Sequence, residues 1–61
     1  MVVETITNGI LHKRDGVFSI DVLENDSQEG PYLCLWIKDP IDGEVWSEDV
    51  QISTLVGIKS L

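Results

Sequence analysis

Between Tyr32 and Val50 the chain reads YLCLWIKDPIDGEVWSEDV, the densest alternation of apolar residues it contains. Leu33, Leu35 and Ile37 fall on one side of a strand and Tyr32, Cys34 and Trp36 on the other, so both faces are largely apolar. Asp39-Pro40-Ile41-Asp42-Gly43 then turns the chain into a second strand over residues 44–47, which predicts a hairpin at 32–47. A strand apolar on both faces belongs between two layers or at a subunit contact. Leu33, Leu35, Trp36, Ile37, Val45 and Trp46 are therefore the expected core or dimer contact.

From the start of the chain, Val2–Thr7 is rich in β-branched residues and predicts a strand that ends at the turn signal Asn8-Gly9. A short strand over 10–13 follows, then a turn at Arg14-Asp15-Gly16. Residues 17–24 alternate, with Phe18, Ile20 and Val22 on one face and Ser19 and Asp21 on the other. Residues 25–31 hold turn formers and no large apolar side chain, which predicts a mobile loop. At the C-terminal end two patterns compete. Ser47 before Glu48 and Asp49 suits a helix start, whereas Val50, Ile52, Thr54, Val56 and Ile58 alternate at strand period. The expectation is a short helix over 48–55, broken at Gly57, on a mainly β domain of five short strands.

A chain of 61 residues is one domain and buries only about 60% of its unfolded surface, so its stability is marginal without further support. Cys34 is its only cysteine and His12 its only histidine, which excludes an internal disulfide and a tetrahedral zinc site; no cofactor is expected. Self-association is the remaining remedy, and a homodimer is expected. Eleven acids against four bases give a net charge of −7, which repels phosphate backbones and anionic membranes. No signal peptide or transmembrane-length segment is visible, so a cytoplasmic location is expected.

No enzyme mechanism assembles from this inventory. His12 lacks a partner, Cys34 lacks a basic neighbour, and Asp39, Asp42 and Glu44 lack the ladder of a calcium loop. Nine of the eleven acids lie between Asp21 and Asp49. Among these, Asp39, Asp42, Glu44, Glu48 and Asp49 are the candidates for contact with a basic partner. Trp36 and Trp46, on the two arms of the hairpin, are expected to pack in the core or a dimer contact; exposed, they would be binding anchors.

Two segments, Ile37-Lys38-Asp39-Pro40 and Val45-Trp46-Ser47-Glu48-Asp49-Val50, resemble the I-N-A-P and V-H-R-E-E-I pattern of the carbon storage regulator (CsrA/RsmA) family with matching spacing. The likeness covers about residues 15–55. It implies an intertwined β dimer whose first and fifth strands pair with the other chain, and an RNA site at the positions of Glu4, Thr5, Trp46 and Ser47. In that family basic residues of the first strand and the arginine of V-H-R-E-E hold GGA-containing leaders. Here Glu4 and Thr5 occupy the first strand and Ser47 replaces the arginine, so the bidentate donors are gone and the RNA activity is not expected to transfer. The expected function is a non-enzymatic acidic regulator or inhibitor, of the kind phages and mobile elements carry, which competes with nucleic acid for a basic protein. The alternatives are a divergent mRNA-binding regulator and a small-nucleotide sponge using Tyr32, Trp36 and Lys38.

Overall fold

A computed structural model describes residues 1–24 and 30–60. The loop expected over 25–31 therefore falls mostly outside the described residues. The elements in order are β1 (Val2–Thr7), β2 (Ile10–Arg14), β3 (Val17–Leu23), β4 (Tyr32–Lys38), β5 (Val45–Gln51), a 3-10 turn (Ile52–Thr54) and β6 (Leu55–Lys59). They form two antiparallel three-stranded sheets, ordered β2-β1-β6 and β3-β4-β5. The mainly β class is as the alternation predicts, with six described strands in place of five.

The core follows from strand parity. Leu33, Leu35 and Ile37 of β4 point inward and meet Val3, Val17 and Val50, with Ile20, Ile52 and Leu55 packed around them. Parity fails at one place. Val17 pairs with Ile37 and Ser19 with Trp36, so a bulge at Phe18 puts Val17 and Ile20 on the same inner face although their numbers differ by an odd count. Phe18 is the extra residue and lies exposed, which corrects its expected place beside Ile20.

The helix expected over 48–55 is not formed. β5 runs on to Gln51 in unbroken register with β4, Leu33 opposite Val50 and Tyr32 opposite Gln51. The β-branched alternation outweighed the Ser47-Glu48-Asp49 start signal, because a strand buries Val50 in the core while pairing the backbone of Glu48 and Asp49 with β4. One 3-10 turn follows, with the Thr54 hydroxyl donating to the Gln51 carbonyl at 2.7 Å, and it reverses the chain into β6. Gly57 does not stop a helix; it stands in β6 opposite Glu4.

Turn chemistry fixes the connections. Asn8 and Gly9 both take positive φ, 52° and 75°, as a two-residue hairpin turn of this hand requires. In the β4–β5 turn the Asp39 carboxylate accepts from the Ile41 amide at 2.8 Å, and the Asp42 carboxylate accepts from the Glu44 amide at 2.8 Å. The two sheets are joined at the start of β3. The N-terminal ammonium donates to the Val17 carbonyl at 2.7 Å, the Val17 amide returns a bond to the Met1 carbonyl, and the Lys38 amide donates to Gly16.

Each described strand finds its partners within one chain: β1 lies between β2 and β6, and β5 pairs with β4.

Candidate functional site

Because β4 is the middle strand of its sheet, its outward residues form the spine of an open face. Cys34 is flanked in register by Asp21 of β3 and Asp49 of β5, and Trp36 by Ser19 and Ser47. Tyr32 extends the row between Leu23 and Gln51, and Lys38 ends it opposite Val45. The indole N–H of Trp36 donates to the Asp21 carboxylate at 3.3 Å, and the ring remains 38% exposed. The face thus carries an aromatic spine with a carboxylate on each side. Burial pushes the Cys34 thiol up, and its hydrogen bond to Asp49 with the charges of Asp49 and Asp21 pushes it further; a bond with Ser47 only partly opposes this. A raised thiol value favours the protonated, less nucleophilic form of Cys34.

A second polar cluster sits between the sheets. Arg14 at the end of β2 donates from Nε to Glu48 of β5 at 2.6 Å and from Nη1 to the hydroxyl of Thr5 at 2.7 Å. The indole N–H of Trp46 donates to the other oxygen of Glu48 at 3.3 Å. The guanidinium beside Glu48 holds its carboxyl below the usual range against the opposing effect of burial, with the Trp46 bond assisting. On the outer side of β1, Lys59 meets Glu4 at 2.8 Å and lowers that carboxyl in the same way.

These placements divide the residues singled out from sequence. Of the five candidate acids, Asp39 and Asp42 bind turn amides, Glu44 closes the same turn, Glu48 is engaged with Arg14, and Asp49 alone lies on the outer face. Leu33, Leu35 and Ile37 are buried, as the core expectation has it. Of the residues expected in the core or at a dimer contact, Trp36, Val45 and Trp46 are exposed within the single chain and lie outside its core. The physical reason is supply. The tryptophans stand on opposite faces of the sheet, since Trp46 pairs with Ile37 and Ser47 with Trp36, so Trp36 lies on the outer face away from the core and Trp46 on the inner face of the edge strand β5. Thr5 and Trp46 are linked through Arg14 and Glu48, whereas Ser47 faces the other side of the sheet and Glu4 belongs to the Lys59 pair. The four positions implied by the family resemblance do not make one surface. His12 is exposed on β2 opposite Thr5.

Two residues of these clusters, Asp21 and Arg14, are not among the candidates read from the sequence. Asp21 was legible as a polar outward residue of the third strand, but its position across from Cys34 depends on the Phe18 bulge. Arg14 sits beside Asp15-Gly16, a strong turn signal, and nothing local points to a carboxylate thirty-four residues away. Among the described residues no three histidine, cysteine or acidic side chains gather as a metal site. Among the described residues no helix is long and apolar enough to cross a membrane. No family model, curated protein or solved structure matches the chain.

Proposed function

We propose that this protein is a non-enzymatic regulator or inhibitor that works as a homodimer and binds a basic segment of a nucleic-acid-binding protein. The observation that carries the reading is the outer face of β3-β4-β5, where Trp36 lies exposed along an axis flanked by Asp21 and Asp49. A guanidinium stacks well on an indole and forms forked bonds to a carboxylate, so an arginine side chain matches this row better than a lysine does. Charge balance works in the same direction. Two of the four cations, Arg14 and Lys59, are already paired, which leaves the acidic excess of the chain free to draw a basic partner.

The test is a titration of a fluorescent nona-arginine peptide against the wild type, the Asp21→Asn/Asp49→Asn double variant and an Asp15→Asn/Glu24→Gln control of equal charge change. The expected result is a loss of about tenfold or more in affinity for the first variant, about 1.4 kcal/mol, and a much smaller loss for the control. Equal losses would reduce the face to diffuse electrostatics and sink the reading. Submicromolar, salt-sensitive binding of a GGA-containing RNA hairpin would replace it with the mRNA-regulator alternative.

A further inference from the structure

Two three-stranded sheets leave four strand edges, whose outward N–H and C=O groups pair with no strand among the described residues. Three of these edges suit a basic partner poorly. β2 ends in His12, Lys13 and Arg14 and bears no acid, so it repels one. β6 ends in Lys59, and its register with β1 shifts between Glu4 and Thr5. β3 is interrupted by the bulge at Phe18. A bulge breaks the even row of donors and acceptors that an added strand needs.

β5 differs from all three. It stays in unbroken antiparallel register with β4, Val45 opposite Lys38 through to Gln51 opposite Tyr32, and holds no proline, so its amides and carbonyls recur at regular spacing along the outer edge. Val45, Trp46, Ser47 and Asp49 of this strand are exposed. Charge then selects the occupant. Residues 44–51 carry the acids Glu44, Glu48 and Asp49 and no cation, and Arg14 pairs with Glu48 alone. A second β5 laid antiparallel on this edge would set acids beside acids, which destabilises a ladder. A strand bearing arginines meets the opposite condition. Its outward side chains would lie one strand spacing, roughly 4.8 Å, from Ser47 and Asp49 and two spacings from Trp36. An arginine there reaches the Asp49 carboxylate and extends toward the exposed indole.

We infer that the outer edge of β5 takes up an extended basic segment of the partner as a fourth strand of the β3-β4-β5 sheet. Main-chain bonds to β5 give that segment its register, and its outward arginines meet the acid-flanked row of β4. The inference rests on the basic-partner reading above and adds the mode of binding.

The test is a titration of the wild-type chain with a fluorescent nine-residue peptide of alternating arginine and threonine in three forms. One is unmodified, and the other two are N-methylated at every second amide, one in each frame. All three have the same charge and side chains, while the methyl groups remove ladder donors on one side of the strand. Binding of the unmodified peptide is expected, with a loss of at least about tenfold for the frame that faces β5 and a loss below about threefold for the other. Equal affinities for all three forms overturn the added strand and leave the basic-partner reading standing; no binding by any form overturns both. Where the two frames lose affinity alike, hydrogen exchange decides. Alternate amides of Val45–Gln51 that slow on addition of the unmodified peptide support the inference, and slowing confined to another edge or found at none overturns it. Slowing at β5 that rises with protein concentration in the absence of peptide assigns the edge to a second copy and also overturns it.

Discussion

The β3-β4-β5 sheet places five of its side chains, Val17, Leu33, Leu35, Ile37 and Val50, in the core, while in β2-β1-β6 only β1 has fully buried residues and the apolar tip of β2 is left in solvent. Both sheets have apolar sequence, so hydrophobicity does not separate them. What differs is cover. A strand in the middle of one sheet is shielded by the other sheet across the core, but a chain of this length cannot lay a second layer over a projecting hairpin as well. The same sequence signal, an apolar strand, therefore marks a core element in β4 and a solvent-exposed one in β2.

The largest expected effect breaks or confirms that division directly. Leu35 is fully buried, and Leu35→Ala should cost about 2–5 kcal/mol, enough to unfold most of the population of a small domain. Leu11 is 54% exposed, and Leu11→Ala at a concentration where the chain is monomeric should fall within about 0.5 kcal/mol of the wild type. Urea titrations of the two variants check this. Comparable losses would mean that β2 is covered within one chain, and the comparison between the sheets would collapse.

A smaller effect sharpens the contrast at glycine. Gly16 has φ 79°, and a Cβ there would lie 2.6 Å from the Lys38 carbonyl oxygen, a backbone atom in the joint between the sheets. Gly9, in the β1–β2 turn, has φ 75° with nothing within reach of a Cβ. Gly9→Ala should therefore carry only the left-handed backbone cost of about 1–2 kcal/mol, whereas Gly16→Ala adds a clash that the joint must open to relieve, for a total above about 2 kcal/mol. Thermal melts of the two variants give the difference, and equal melting temperatures would show that the joint is loose.

Much of this architecture was legible in the sequence. β-branched content located the first strand, alternation the third and fourth, and the residues after the Asp39–Gly43 turn the start of the fifth; Asn8-Gly9 fixed the first hairpin turn, and Leu33, Leu35 and Ile37 identified the inner face of β4. The C-terminal end was misjudged because helix-capping residues at 47–49 are a local signal, while the pairing of Val50 with Leu33 is a long-range one. Phe18 was misplaced because a bulge inserts one residue without any mark in the composition. The tryptophans, expected in the core or at a dimer contact, lie exposed in the single chain. Ring size predicts that a tryptophan prefers to be buried, but burial needs a partner layer, and the single chain supplies too little of one for either. The candidate site depends on registers across three strands, which no local pattern encodes.

The smallest effect concerns the bridge between the sheets. Arg14 of β2 bonds Glu48 of β5, so this pair ties the two sheets together. Hydrogen bonding to Arg14 lowers the Glu48 carboxyl relative to an unfolded glutamate, which titrates near about 4.3. A group whose folded value is depressed contributes its stability above the unfolded value and loses it as pH falls through the folded value, because in that window the unfolded chain binds more protons. The Glu48 side chain is 40% exposed, so solvent screens the pair and its contribution is on the order of 1 kcal/mol or less. Acid has an opposite effect on the chain as a whole, since protonation relieves the self-repulsion of a net charge of −7. The difference between wild type and Glu48→Gln separates the two, because the long-range term is nearly common to both. At neutral pH the variant should be slightly less stable, and the gap should close as pH falls below about 4.3. Urea midpoints measured across that range report it. A gap that stays constant through acid would mean that this charge does not tie β2 to β5, and that the Thr5 hydroxyl and Trp46 ring hold the junction instead.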